Sequence, residues 1–136
     1  MNGLVLDTSV LLAYASGDSV EPGALLALTQ EDPDQEVWIP ALCLGQAQLQ
    51  LAGTPATDLL DLLLDGDRDI RVAVYDGPTS RRVARIAASG KVPLDVAHAV
   101  ATAVRYRCHL VTRDAPTVAA AAPPDLEILE IAGSWG

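Results

Sequence analysis

The sequence predicts an α/β fold: a single domain with a parallel central sheet flanked by helices on both faces. Short runs rich in Val, Leu and Ile, at 3–6, 36–40, 70–75, 108–112 and 126–132, have the length and composition of strands. Between them lie longer stretches with helical composition, and strands alternating with helices are the pattern of a parallel sheet covered on both sides. The 136 residues suit one core.

Residues 3–6, Gly-Leu-Val-Leu, read as a short buried strand, and Asp7-Thr8-Ser9 then offers helix N-cap chemistry. The apolar helix through "VLLAYA" stops near Gly17-Asp18. A second helix starts at Glu21-Pro22 and runs out in the acidic turn "EDPDQ". "EVWIP" is a strand stopped by Pro40, with Trp38 placed in the core at its end. From Leu44 the stretch "ALCLGQAQLQLAG" nearly alternates as a strand would. Its Ala, Leu and Gln nevertheless favour helix, and Gly53-Thr54-Pro55 closes it. "ATDLLDLLLDG" is an amphipathic helix with Asp58, Asp61 and Asp65 on one face.

"IRVAVY" reads as a strand, followed by Asp76-Gly77-Pro78 and the helix "TSRRVARIAASG". In the helix "PLDVAHAVATAVRYR" the stripe Val96, Val100, Ala103, Val104 has core-facing spacing. "CHLVT" is a strand ending at Arg113-Asp114. A last strand, "LEILEIA", follows the "AAAAPPD" connection.

Half of the residues are hydrophobic and a fifth charged, which excludes a disordered chain. No apolar run approaches membrane-spanning length. The first residues carry no Lys or Arg, and Asp7 interrupts the apolar stretch, so no secretory signal is expected and the location reads as cytoplasmic. Cys43 and Cys108 lack metal or redox spacing and read as buried thiols. The net charge of −9 argues against a polyanionic partner, but its distribution is uneven: all nine Lys and Arg lie beyond residue 67, and residues 1–67 hold 11 of the 18 acids. A locally basic surface meets phosphates despite a negative total, because screening confines most interactions to roughly 8–10 Å.

Three acids share an address. Asp7 follows the first strand, Asp114 follows "HLVT", and Asp95 opens the helix before that strand. Ligands of open α/β sheets bind outside the carboxyl ends of strands. Each acid also has an ordinary explanation, since Asp is a favoured N-cap and turn residue. Clustered carboxylates repel one another, and a divalent cation relieves this. An all-oxygen set suits Mg²⁺ or Mn²⁺ rather than zinc. Such an ion polarises phosphoryl oxygens and lowers the pKa of bound water, pointing to phosphate-ester or phosphodiester hydrolysis.

The segments "LVLDTSVLLAY", "IPALCLGQAQ", "LDVAHAVATA" and "LVTRD", in this order and spacing, resemble the PIN-domain ribonucleases, especially the VapC-like toxins of bacterial toxin–antitoxin pairs. The resemblance runs from Leu4 to about Thr117. It implies one PIN-like domain over 1–136 and a Mg²⁺- or Mn²⁺-dependent endoribonuclease. It also implies a VapB-like antitoxin partner and a homodimer. Asp7, Asp95 and Asp114 match the family's catalytic and metal-binding acids, and Thr8, Ser9 and Thr112 its small polar positions. The pattern departs at Gln46, where the family places a Glu six residues after the proline of "IPAL", and at Thr117, where a further acid often stands. Gln46 brings no charge, and hard-cation affinity depends on ligand charge. Two readings follow: a metal-dependent ribonuclease, or a catalytically weakened PIN fold that binds RNA or an antitoxin.

Arg113, beside Asp114, is placed to meet a scissile phosphate, or else forms a surface ion pair of little worth. His98, one turn after Asp95, contacts substrate or is merely packed. Arg81, Arg82 and Arg85 share one helical segment and could grip RNA or an acidic antitoxin tail. Trp135 reads as a tail anchor or part of an interface. A phosphatase with Asp7 as nucleophile fits poorly, because Ser9 stands where a second Asp is wanted.

Overall fold

The computed structural model describes residues 3–17, 21–32, 34–65 and 70–131; Asp18, Arg68 and Trp135 lie outside them. The described elements are β1 (Gly3–Leu6), α1 (Thr8–Ser16), α2 (Glu21–Glu31), β2 (Glu36–Pro40), α3 (Ala41–Leu51), α4 (Thr57–Asp65), β3 (Ile70–Ala73), α5 (Gly77–Gly90), α6 (Leu94–Tyr106), β4 (His109–Thr112), α7 (Ala115–Ala119) and β5 (Ile128–Glu130). The strands form one sheet in the order β3-β2-β1-β4-β5, and every pairing is parallel. The α/β, single-domain, parallel-sheet expectation is thus borne out.

Strand β1 is central, with Val5 opposite Trp38 on one side and Leu110 on the other. All four of its residues are buried, as a continuous apolar run covered on both faces requires. Gly3 fits because a Cβ there would come within 2.6 Å of Cys108 Sγ and 3.0 Å of the Glu36 carbonyl. Leu11, Leu26, Ile39 and Leu60 complete the core with Val100, Leu110 and Val111. Gly17, at φ 74°, ends α1 in the left-handed conformation that glycine adopts at no steric cost.

The chain leaves β1 toward β2 and leaves β4 toward β5, in opposite directions across the sheet. Right-handed crossovers then place α1 and α5 on opposite faces, while α3, leaving the carboxyl end of β2, packs on both α1 and α6. The gap between the carboxyl ends of β1 and β4 is the topological switch point, where open sheets bind ligands.

Four local expectations are corrected. The strand "IRVAVY" ends at Ala73, and α5 starts early, at Gly77, because Asp76 accepts a hydrogen bond from the Thr79 N–H and Pro78 suits a first turn. Val104 is 50% exposed, off the stripe that buries Val100 and Ala103. Trp38 is only half-buried, stacked on Tyr106 at 3.8 Å between ring centroids. Asp114, read as part of a turn, caps the short helix α7.

Two glycines make opposite predictions. At Gly90 a Cβ would meet the Ala121 Cβ and Cα at 2.6 and 2.7 Å, so Gly90→Ala forces α5 away from the segment after α7. It is expected to cost about 1–3 kcal/mol. Gly45, inside α3, faces open space, so Gly45→Ala is expected to add about 0.5–1 kcal/mol. Urea unfolding of both variants measures the two signs.

Candidate functional site

Asp7 leaves the carboxyl end of β1, and its N–H still bonds the Val111 carbonyl of β4 at 3.3 Å. Its extended backbone makes it the N-cap of α1, with Oδ1 accepting from the Val10 N–H at 3.1 Å and the Ser9 hydroxyl at 2.6 Å. The carboxylate is buried, 4% exposed. Burial pushes its pKa up, and hydrogen bonds from Ser9, Thr112 and Val10 pull the other way. The groups that offset the burial are hydrogen-bond donors, not cations.

Asp95 is half-buried in the first turn of α6, but it does not cap the helix. Pro93 occupies the N-cap without a side-chain bond. The Asp95 Oδ2 instead accepts from the Thr8 hydroxyl at 2.7 Å, across 87 residues of sequence. The Cys43 thiol of α3 donates to the Asp95 carbonyl at 3.2 Å. Burial holds that thiol protonated, and the charges of Asp7 and Asp95 push the same way. The two acids therefore lie in one electrostatic neighbourhood, walled by α3.

Ser9 ties this pair to β4. Its oxygen accepts from the Arg113 N–H at 2.9 Å and lies 3.4 Å from the Thr112 hydroxyl. Thr112 Oγ1 accepts from the Asp114 N–H at 3.1 Å. Asp114 itself is exposed, and both its oxygens are engaged within α7: Oδ1 accepts from the Thr117 N–H at 3.3 Å and Oδ2 from the Thr117 hydroxyl at 2.6 Å. Asp7, Thr8, Ser9, Asp95 and Thr112 are thus brought together, and Asp114 is held at the rim. Among the described residues no group of three or more His, Cys, Asp or Glu side chains is close enough to hold a metal ion.

Gln46 is half-buried on α3, one helical position beyond the turn that carries Cys43, and makes no hydrogen bond to Asp7, Asp95 or Asp114. Arg113 is half-buried beside Asp114.

His98 is not open to substrate: it is 1% exposed. Its Nδ1 accepts from the Leu42 N–H at 3.3 Å, serving the start of α3, whose N-cap Pro40 offers no side-chain acceptor. Burial lowers its pKa, against a hydrogen bond to the Val74 backbone. The neutral form is favoured in the fold, so its stabilisation is complete above the ordinary value near 6.5 and is lost as pH falls through the lower folded value. His98→Ala is expected to cost about 2–4 kcal/mol at pH 7.5 in urea unfolding, and less at pH 5.

As a donor set, two carboxylates flanked by hydroxyls, with no thiolate or exposed imidazole, fit a hard divalent cation. A cavity of about 780 Å³ opens elsewhere, lined by Glu36, Tyr106, Arg107 and Asp125, which all precede strands or lie at their amino ends. Among the described residues no helix is long and apolar enough to cross a membrane. Sequence reasoning missed Cys43 as a wall of the site and Thr117 as the partner of Asp114. Only the Asp-x-x-Thr spacing hinted at the second.

The PIN domain profile matches residues 4–121. No curated protein sequence matches the chain. Several solved structures share the fold. The VapBC2 complex of Rickettsia felis, bound to a promoter DNA fragment, is 14% identical with a TM-score of 0.66, over 93% of this chain and 96% of that one. A toxin–antitoxin complex from Klebsiella pneumoniae is 19% identical with a TM-score of 0.66, over 85% and 90%. The VapC20 toxin of Mycobacterium tuberculosis, which cleaves the sarcin–ricin loop, is 16% identical with a TM-score of 0.68, over 88% and 96%. At these identities the likeness is one of fold. With the profile spanning the first strand, the acidic switch point and α7, this chain belongs to the PIN domain family.

Proposed function

We propose that this chain is a VapC-like PIN ribonuclease that hydrolyses RNA phosphodiester bonds with Mg²⁺ or Mn²⁺, as the toxin of a toxin–antitoxin pair. One observation carries the proposal: the buried Asp7 and the Thr8-tethered Asp95 meet at the switch point without a cation among the groups that offset the burial of Asp7. The metal, held by Asp7 and Asp95 with Asp114 at the rim, would supply an activated water and charge stabilisation at the phosphate. Ser9 and Thr8 fix the two carboxylates, Thr112 orients the β4 end, and Arg113 meets the substrate phosphate. Gln46 offers a neutral oxygen as the fourth wall. The kinship of fold with toxin–antitoxin complexes supports a VapB-like antitoxin partner. A cytoplasmic setting and a homodimer belong to the same proposal.

A second reading is kept by two particulars, the missing charge at Gln46 and the engagement of Asp114 by Thr117. It is a weakened PIN fold that binds RNA or its antitoxin without cutting. The deciding experiment is a Mn²⁺-titrated cleavage assay on mixed RNA. Cleavage by the native protein that EDTA stops, and that Asp95→Asn lacks, supports the nuclease. RNA binding with no cleavage at any metal concentration supports the second reading.

A further inference from the structure

Outside the acidic site, positive charge is concentrated on one helix hairpin. Residues 77–94 carry Arg81, Arg82, Arg85 and Lys91 and no acid, in a chain of net charge −9. All four side chains are exposed. Among the described residues no carboxylate pairs with Arg81, Arg82 or Arg85. Arg81 and Arg85 stand at i and i+4, where like charges destabilise an isolated helix. Among the described residues the charge of this row is uncompensated, and it is open to an anion from outside the fold.

The hairpin also has a concavity. Helix α5 packs against α6 in antiparallel sense, and between them lies a cavity of about 60 Å³. It is lined by Asp76, Thr79 and Arg82 from the start of α5 and by His98, Thr102 and Arg105 from α6. That volume exceeds the space one water needs, so a small oxyanion can enter. Two arginines from different helices border it, and the guanidinium fork matches phosphate oxygens. Asp76 places one carboxylate at the rim of the cavity, held ionised by the Thr79 hydroxyl and N–H and by the nearby Arg105 charge, so the positive surplus of the site comes from Arg82, Arg81 and Arg85.

Position decides between a lone anion and a polymer. From Asp95 to Thr102 and Arg105 is about 10–15 Å along α6, at 1.5 Å per residue. That exceeds the Debye length of roughly 8 Å at physiological salt, so the acidic centre is largely screened at Arg105, the cation that α6 brings to the cavity, while His98 of the lining stands about 4.5 Å along the helix from Asp95. Arg81 and Arg85 extend the positive row beyond the cavity, which a single phosphate does not use and a polyanion does.

We propose that the α5–α6 cavity, bordered by Arg82 and Arg105 and extended by Arg81 and Arg85, is a docking site for the phosphodiester backbone of single-stranded RNA. The choice of RNA over other polyanions rests on the nuclease reading; the site itself rests on the hairpin. The site holds the strand one or more nucleotides away from the acidic pair and touches no reacting atom.

The test is fluorescence anisotropy of a labelled single-stranded RNA on the Asp95→Asn protein in EDTA, so that neither metal nor cleavage intervenes. Arg82→Gln/Arg105→Gln is expected to weaken binding tenfold or more. It should also lower the slope of log K against log salt by about 1.4, since each lost single-strand phosphate contact removes about 0.7. Arg71→Gln, at the Glu36 pair on β3, should leave the slope unchanged. Thermal melts confirm that each variant folds. An unchanged slope in the double variant overturns the site. Displacement of the RNA by polyglutamate as readily as by unlabelled RNA overturns the assignment in favour of an acidic protein segment. If the native protein binds RNA through these arginines yet never cuts it, the nuclease reading fails and the docking site stands.

Discussion

Asp7→Asn is expected to raise the melting temperature of the metal-free protein at neutral pH by about 2–6 °C. The same change should lower RNA cleavage about a hundredfold or more. Both effects have one cause. Asp7 is buried with its pKa raised above the ordinary 3.8, so the fold favours the protonated acid. Its protonation stabilises the protein fully below pH 3.8, and that stabilisation is lost as pH rises through the folded value. At neutral pH the ionised carboxylate is a cost to folding. The asparagine carbonyl still accepts from the Val10 N–H and the Ser9 hydroxyl, so the cap on α1 survives while the charge goes. Mn²⁺ should raise the melting temperature of the native protein and leave Asp7→Asn unmoved, because a ligand stabilises only the state that binds it. Thermal melts with Mn²⁺ and with EDTA measure both signs. A lower melting temperature for Asp7→Asn in EDTA would make the carboxylate a structural group and remove the physical ground for a metal.

What the sequence disclosed follows from what is local. The first apolar run, Gly17 after "VLLAYA" and the Asp7-Thr8-Ser9 cap each act within one turn or one strand, and each appears in the structure where its chemistry places it. Asp95 shows the limit. An acid at a helix start looks like a cap, but Pro93 takes that place, and the partner of Asp95 is Thr8, 87 residues away. No spacing rule carries such a contact. His98 sits on the face of α6 that periodicity can only label as inward or outward. That it accepts from the first turn of α3 depends on how α3 and α6 cross. Helix α7 has five residues, too short for periodicity, although Asp114, Pro116 and Thr117 carried the chemistry of a helix start.

The same separation of local from tertiary explains the site's asymmetry. Asp7 and Asp95 are fixed by hydroxyls on α1, so their oxygens are positioned by the rigid start of that helix. Asp114 is fixed by Thr117 on a five-residue helix at the rim, where a further carboxylate would instead repel it. A threonine at 117 donates to both oxygens of Asp114, which keeps its charge, where an acid would add a second one. On the proposed nuclease reading, a metal would rest chiefly on Asp7 and Asp95, and residue 46 is the remaining wall to test.

Gln46→Glu is expected to tighten Mn²⁺ binding about tenfold or more, because affinity for a hard cation follows the charge of its ligands. Cleavage should rise with it at limiting metal. In EDTA the same variant should melt lower than the native protein, since a third carboxylate beside Asp7 and Asp95 adds repulsion with nothing to balance it. Gln46 is half-buried on the helix whose Cys43 touches the Asp95 backbone, and an isosteric glutamate enters without a change of volume. Isothermal titration with Mn²⁺, beside melts in EDTA, gives both quantities from one preparation. Unchanged affinity together with an unchanged melting temperature would mean that residue 46 does not face the acids, and the departure from the family pattern there would be silent. A gain in affinity with cleavage appearing only in the variant would identify the native protein as a binding form of the fold, one glutamate short of a nuclease.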